Sequence, residues 1–188
     1  HWVSRWTPGS GLFCVPFAAV PVMLGVDETP SRTICILAKV AASTITALSA
    51  ILVYLCLRHF VSRKGAVWLT VAYALGTASF SMSSQDMWQH GPVQLCLAGA
   101  LYVLISGRKH WGWHLLTGLC LGLVVLTRPP AIILTVPIGL WVARRRGLKV
   151  WAWYAIGAFP PVLFLVAYNM HYFGTPALVG YSNVIGGG

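Results

Sequence analysis

Long apolar runs alternate with short polar interruptions along most of the chain. The clearest run covers residues 34–57 and is interrupted only by Lys39. Others cover 65–81, 91–107 and 150–168, and an apolar stretch from Trp111 to Ala143 is cut by Thr127-Arg128-Pro129-Pro130. Runs of about 17–25 residues match bilayer thickness rather than the length of a core strand. Two adjacent prolines break a helix, so the 111–143 stretch is expected to fold as a hairpin of two short helices with Arg128 at its tip. The last run carries Pro160-Pro161 and is expected to kink there. Gly11–Gly25 is shorter and contains Pro16 and Pro21, which predicts a juxtamembrane helix anchored by Trp2 and Trp6. The pattern therefore predicts an all-α fold, a polytopic transmembrane bundle of about six membrane helices plus that N-terminal juxtamembrane helix.

Composition sharpens this reading. Hydrophobic residues make up 57% of the 188 positions and charged residues only 9%, against about a quarter in soluble domains. The net charge of +10 is distributed in clusters between the apolar runs: Arg58, Arg63 and Lys64; Arg108 and Lys109; Arg144, Arg145, Arg146 and Lys149. Clustered cations between spans are a topology signal, not a nucleic-acid-binding stripe, so no nucleic acid is expected as a partner. With a hairpin at 111–143 those nine cations fall on one face, the cytoplasmic one, while Asp27, Glu28 and Asp86 fall on the other. Residues 1–33 then form an outward segment, 34–168 the membrane helices and 169–188 a second outward segment of one domain. The five cysteines stand singly with no ligand spacing, as small buried hydrophobes do.

Four outward features carry candidate chemistry. Lys39 lies a few residues inside its span, where it either snorkels to headgroups or meets a phosphate. Asp86 and His90 belong to the longest polar interruption without Lys or Arg, residues 79–92, and either cap the helix beginning near Pro92 or orient a substrate. Arg128 occupies the tip of a hairpin too short for two full spans, each needing about 20 residues. It should sit at or slightly below the outer surface, where a guanidinium calls for a carboxylate or a phosphate. Asn169 and Tyr181 flank the Gly174-Thr175-Pro176 turn, and Asn169 reads equally well as a helix-end cap. No nucleophile–base pair, Gly-rich phosphate loop or metal-ligand motif is present, so no metal site is assigned. Cofactors stay open, a divalent metal included.

Several segments together resemble one family. Arg5-Trp6-Thr7-Pro8-Gly9 leading to Val15-Pro16-Phe17, then Lys39-Val40-Ala41-Ala42-Ser43, Trp88-Gln89-His90-Gly91-Pro92 and Leu126-Thr127-Arg128-Pro129 follow in order. Tyr168-Asn169 through Phe173-Gly174-Thr175-Pro176 and Gly180-Tyr181 complete the set. Order and spacing between helices resemble the polytopic glycosyltransferases of the GT-C superfamily, of the protein-mannosyltransferase and aminoarabinose-transferase type. The resemblance implies an enzyme of a bacterial inner membrane, with its active side outward, that moves a sugar from a polyprenyl-phosphate donor to a glycan, lipid or protein acceptor. It implies donor-phosphate contacts for Arg128 and Lys39. It places the family's catalytic carboxylate in a first outward loop, expected upstream of residue 1, so the catalytic residue is unknown. Residues 1–188 read as an internal piece of a longer protein and are expected to be inactive alone. Two alternatives stay open: a transporter or flippase of a lipid-linked substrate, against which the sequence shows no internal repeat, and a non-catalytic membrane subunit.

Overall fold

The computed structural model describes residues 7–25 and 31–176, and every regular element among them is helical. In chain order these are α1 (Gly9–Met23), α2 (Ser31–Leu57), α3 (Arg63–Gly76), α4 (His90–Ile105), α5 (Trp111–Thr127), α6 (Ile132–Arg146) and α7 (Leu148–Phe173). A π-helical turn at Ser79–Ser83 precedes α4, and a 3-10 turn at Pro129–Ala131 separates α5 from α6. Asp27, Glu28 and Tyr181 lie outside the described residues.

Helices α2 and α7 are long and apolar enough to cross a membrane. Helices α1, α4 and α5 are apolar but shorter. Large apolar side chains stand outward on these helices and on α3 and α6, where Trp68 and Ile133 are each 74% exposed. Water penalises apolar surface displayed on this scale, which supports association with a membrane.

Local chemistry fixes the ends. Ser62 caps α3, its Oγ accepting the Gly65 N–H at 3.3 Å, and His110 Nδ1 accepts the Gly112 N–H at the start of α5. Arg144, Arg145 and Arg146 fill the last turn of α6, where the helix dipole favours cations. Gly147 then turns the chain with a φ of +86°, a conformation closed to most side chains. Helix α7 runs unbroken through Pro160-Pro161 and closes at Gly174, whose left-handed backbone sends its N–H to the Met170 carbonyl. It therefore continues past the Tyr168 boundary expected from hydropathy, because Asn169 and His171 are polar without being helix-breaking.

The chain divides into two compact units, Ser10–Arg108 on one side and His1–Gly9 with Lys109–Gly188 on the other. Within the second, α5 and α7 form the tightest pair. A Cβ on Gly118 would stand 2.1 Å from the Tyr154 carbonyl oxygen, and one on Gly122 would stand 2.7 Å from that of Ala158. Both partners advance in the same direction, so α5 and α7 run parallel. Gly157 answers from α7, where a Cβ would lie 2.2 Å from the Leu115 carbonyl oxygen. Missing side chains let two backbones touch, the mode by which helices pack where no hydrophobic effect draws them together. With α5 and α7 parallel and the connections short at both ends, α6 must return antiparallel: the 111–143 stretch is a hairpin.

In the other unit α2 and α4 pair through small residues, with Ala41, Ala42, Ser49 and Ala100 wholly buried. Ile45 meets Gly91, and the Cys56 thiol reaches the Ala98 carbonyl at 3.8 Å, so α2 and α4 also ascend together. Helix α3, between them in the chain, packs on α2 through Ser49 and Tyr73, whose oxygens lie 3.2 Å apart.

Candidate functional site

The proline pair shapes the turn that carries Arg128. A residue before proline is pushed out of the helical region, and Arg128 has φ −141° and ψ 90° as it ends α5. Its N–H still bonds the Val124 carbonyl at 2.9 Å, and its carbonyl accepts the Ala131 N–H at 2.8 Å. The backbone on both sides of the guanidinium is thus fixed, while the side chain is half-buried. Thr127, just before it, is fully buried, and its Oγ1 has no hydrogen-bond partner.

The start of the chain packs on this turn. Thr7 donates its hydroxyl to the Thr127 carbonyl, across 120 residues of sequence. A Cβ on Gly9 would stand 2.4 Å from Thr127 Cα, so only glycine permits the approach. Replacing Gly9 with alanine is expected to lower the thermal unfolding midpoint, because neither backbone can yield. Thr127→Val, nearly isosteric, removes a buried unpartnered hydroxyl and should leave stability unchanged or raise it by about 1 kcal/mol. Paired melting curves in one detergent check both signs.

Asn169 reaches the same level from α7. Leu165 packs with Val125 and Leu126 near the end of α5. Asn169 follows one turn later on the same face of a parallel helix, which carries it past the end of α5 to the height of the Arg128 turn. It is 7% exposed and lies inside α7. The cap reading of Asn169 is therefore corrected: the helix continues beyond it, and the cap position belongs to Gly174.

Lys39, Asp86 and His90 gather at one end of the other unit. Ser43, one turn after Lys39 on α2, donates to the Ser84 carbonyl at 2.9 Å and ties the polar interruption to that helix. Lys39 itself is exposed. The Asp86 carboxylate accepts the N–H of its neighbour Met87 at 2.7 Å. Gln89, not Asp86, takes the cap position of α4, without a side-chain capping bond, so the capping reading of Asp86 fails. His90 is the first residue of α4 and half-buried. Burial pushes the Cys14 thiol of α1 above its ordinary pKa, and the Asp86 charge adds to the rise. Beneath this loop the π-turn buries Ser79 and Ser83; Ser79 Oγ receives Gln94 Nε2 at 3.3 Å and the Thr77 hydroxyl at 2.9 Å. Such turns recur at functional sites.

Arg128 and Asn169 thus lie at the same end of one unit, where Thr7 and Gly9 pack on Thr127, while Lys39, Asp86 and His90 share an end of the other. No group of His, Cys, Asp and Glu able to hold a metal exists among the described residues. The roles of Thr127 and Gly9 had no signal in hydropathy. The α5–α7 contact did have one, since Gly118 and Gly122 form a GxxxG spacing. No protein-family model, curated protein or solved structure matches the chain.

Proposed function

We propose that the chain belongs to a multi-pass membrane glycosyltransferase that transfers a sugar from a polyprenyl-phosphate donor to an acceptor on the outer face. In this reading α2 to α7 are six membrane helices and α1 lies along the surface. One observation carries it: Thr7 and Gly9 pack on Thr127, next to Arg128, and the register of α7 carries Asn169 to the same height, so three separate segments of the family resemblance lie at one end of one unit.

Helix lengths support the placement. The 17 residues of α5 and 15 of α6 rise about 26 and 22 Å, less than the roughly 30 Å hydrocarbon core. Their shared tip stays near the headgroup level, where a carrier phosphate resides. Arg128 would hold that phosphate through its planar two-donor fork and neutralise charge as the sugar–oxygen bond breaks. Lys39 would add a second cation. Asp86 and His90 would orient the acceptor hydroxyl, and a general base must still take its proton. Donor-dependent transfer, measured in reconstituted membranes for wild type and Arg128 variants, tests the reading.

Sidedness has its own test. In a background without the native cysteines, a cysteine at the exposed Gln85 should react with an impermeant maleimide from outside, and one at Phe60, 70% exposed, should not. Reversed labelling would overturn the map.

Transport of a lipid-linked substrate is the second reading. It is favoured by the shared up–down–up design of α2–α3–α4 and α5–α6–α7, each with its first and third helices parallel. Transporters are commonly built from such repeated helix groups. Flipping of a fluorescent polyprenyl phosphate that survives Arg128→Ala while no sugar is ever transferred would select this second reading.

A further inference from the structure

An apolar groove of about 230 Å³ runs between α5, α6 and α7. One face of α6, Ile132, Thr135, Val136 and Gly139, forms a wall, and Leu121, Gly122 and Val125 of α5 line the side facing it. Helix α7 closes it with Tyr154, Ala155, Ala158 and Val162, and Trp151 stands at the end nearest Gly139. An apolar cavity of about 150 Å³ already holds benzene, so this groove has room for a stretch of hydrocarbon chain and offers almost nothing to a polar ligand.

The two ends differ in charge. Helical spacing carries the groove-lining face of α6 from Gly139 to Ala143 and then Arg146. Arg146 lies close enough to act electrostatically on His114 of α5 and on Tyr154, itself a wall of the groove. Arg144, Arg145 and Lys149 flank it, all exposed. Residues 109–176 contain no Asp or Glu, so no carboxylate of this unit offsets the cluster. Four cations beside an apolar slot at the edge of a membrane helix attract an anionic headgroup.

We propose that the groove holds one acyl chain of an anionic phospholipid, with its phosphate on Arg146 and the neighbouring cations. The site lies at the end of the unit opposite Arg128 and is independent of sugar donor and acceptor. The lipid would fill the gap that α6 leaves between the parallel pair and fix α6 in place.

The test uses the purified chain in detergent supplemented with dioleoyl phosphatidylglycerol or dioleoyl phosphatidylcholine, read by native mass spectrometry. One phosphatidylglycerol should remain bound with at least a tenfold preference over phosphatidylcholine. Arg146→Gln should weaken its retention about tenfold. Gly139→Leu and Ala155→Phe, which fill the groove from α6 and from α7, should each abolish retention, with lipid-free melting in detergent confirming which variants fold. Equal retention of both lipids would make the bound molecule ordinary boundary lipid and overturn the proposal. So would loss in Arg146→Gln with full retention in both groove-filling variants, which leaves only a charged surface. Displacement by polyprenyl phosphate that depends on Arg128 and not on Arg146 would assign the groove to the carrier instead, without touching the glycosyl-transfer reading.

Discussion

Gly118→Leu is expected to destroy the α5–α7 unit, and even Gly118→Ala should destabilise it. A Cβ at 118 would sit 2.1 Å from the Tyr154 carbonyl oxygen, and one at 157 would sit 2.2 Å from the Leu115 carbonyl oxygen. Both obstacles are helix backbone, which cannot rotate aside as a side chain does. In an isolated helix Gly→Ala gains up to about 1 kcal/mol. Here the sign should reverse, with a loss of about 3 kcal/mol or more, at the upper end of overpacking costs. Gly139→Ala is the control, since a Cβ there meets only the Trp151 indole nitrogen at 3.8 Å. The readout is the unfolding midpoint of the three variants in one detergent. A Gly118→Ala protein as stable as wild type would show that α5 and α7 are not in backbone contact.

Under the glycosyltransferase reading proposed above, Arg128 carries the largest expected effect on activity. Arg128→Ala should lower transition-state stabilisation by on the order of 2–4 kcal/mol if its contact strengthens as the phosphate departs. Arg128→Lys preserves the charge and loses the fork, so it should fall between wild type and alanine. The backbone bonds that hold the turn, from Arg128 to Val124 and from Ala131 to Arg128, survive either change. Unfolding midpoints should therefore move little while donor-dependent transfer falls. Loss of stability in step with activity would mark a structural arginine, and full activity in Arg128→Ala would remove it from the site.

Hydropathy and charge were enough to define the helices. Residues 34–57 appear as α2, and the break at Thr127-Arg128-Pro129-Pro130 appears as the turn between α5 and α6, because a proline pair acts locally on the backbone. Helix ends were less legible. Asn169 and His171 lower hydropathy without ending a helix, so α7 runs on to Phe173, and the π-turn at Ser79–Ser83 has no sequence signal of its own.

By itself the sequence determined the helical class, the hairpin, and the identity of Arg128, Lys39, Asp86 and His90 as the polar groups worth following. These follow from local physics: side-chain solubility, proline sterics and charge distribution, each read within a single segment. Only the tertiary structure decided which of them meet. The Thr7–Thr127 bond spans 120 residues, Gly9 matters because of the backbone it touches, and Asn169 reaches the Arg128 turn because α5 and α7 run parallel. Those facts depend on helix pairing and register, and register is set by where small residues allow backbones to close. No single segment carries that information.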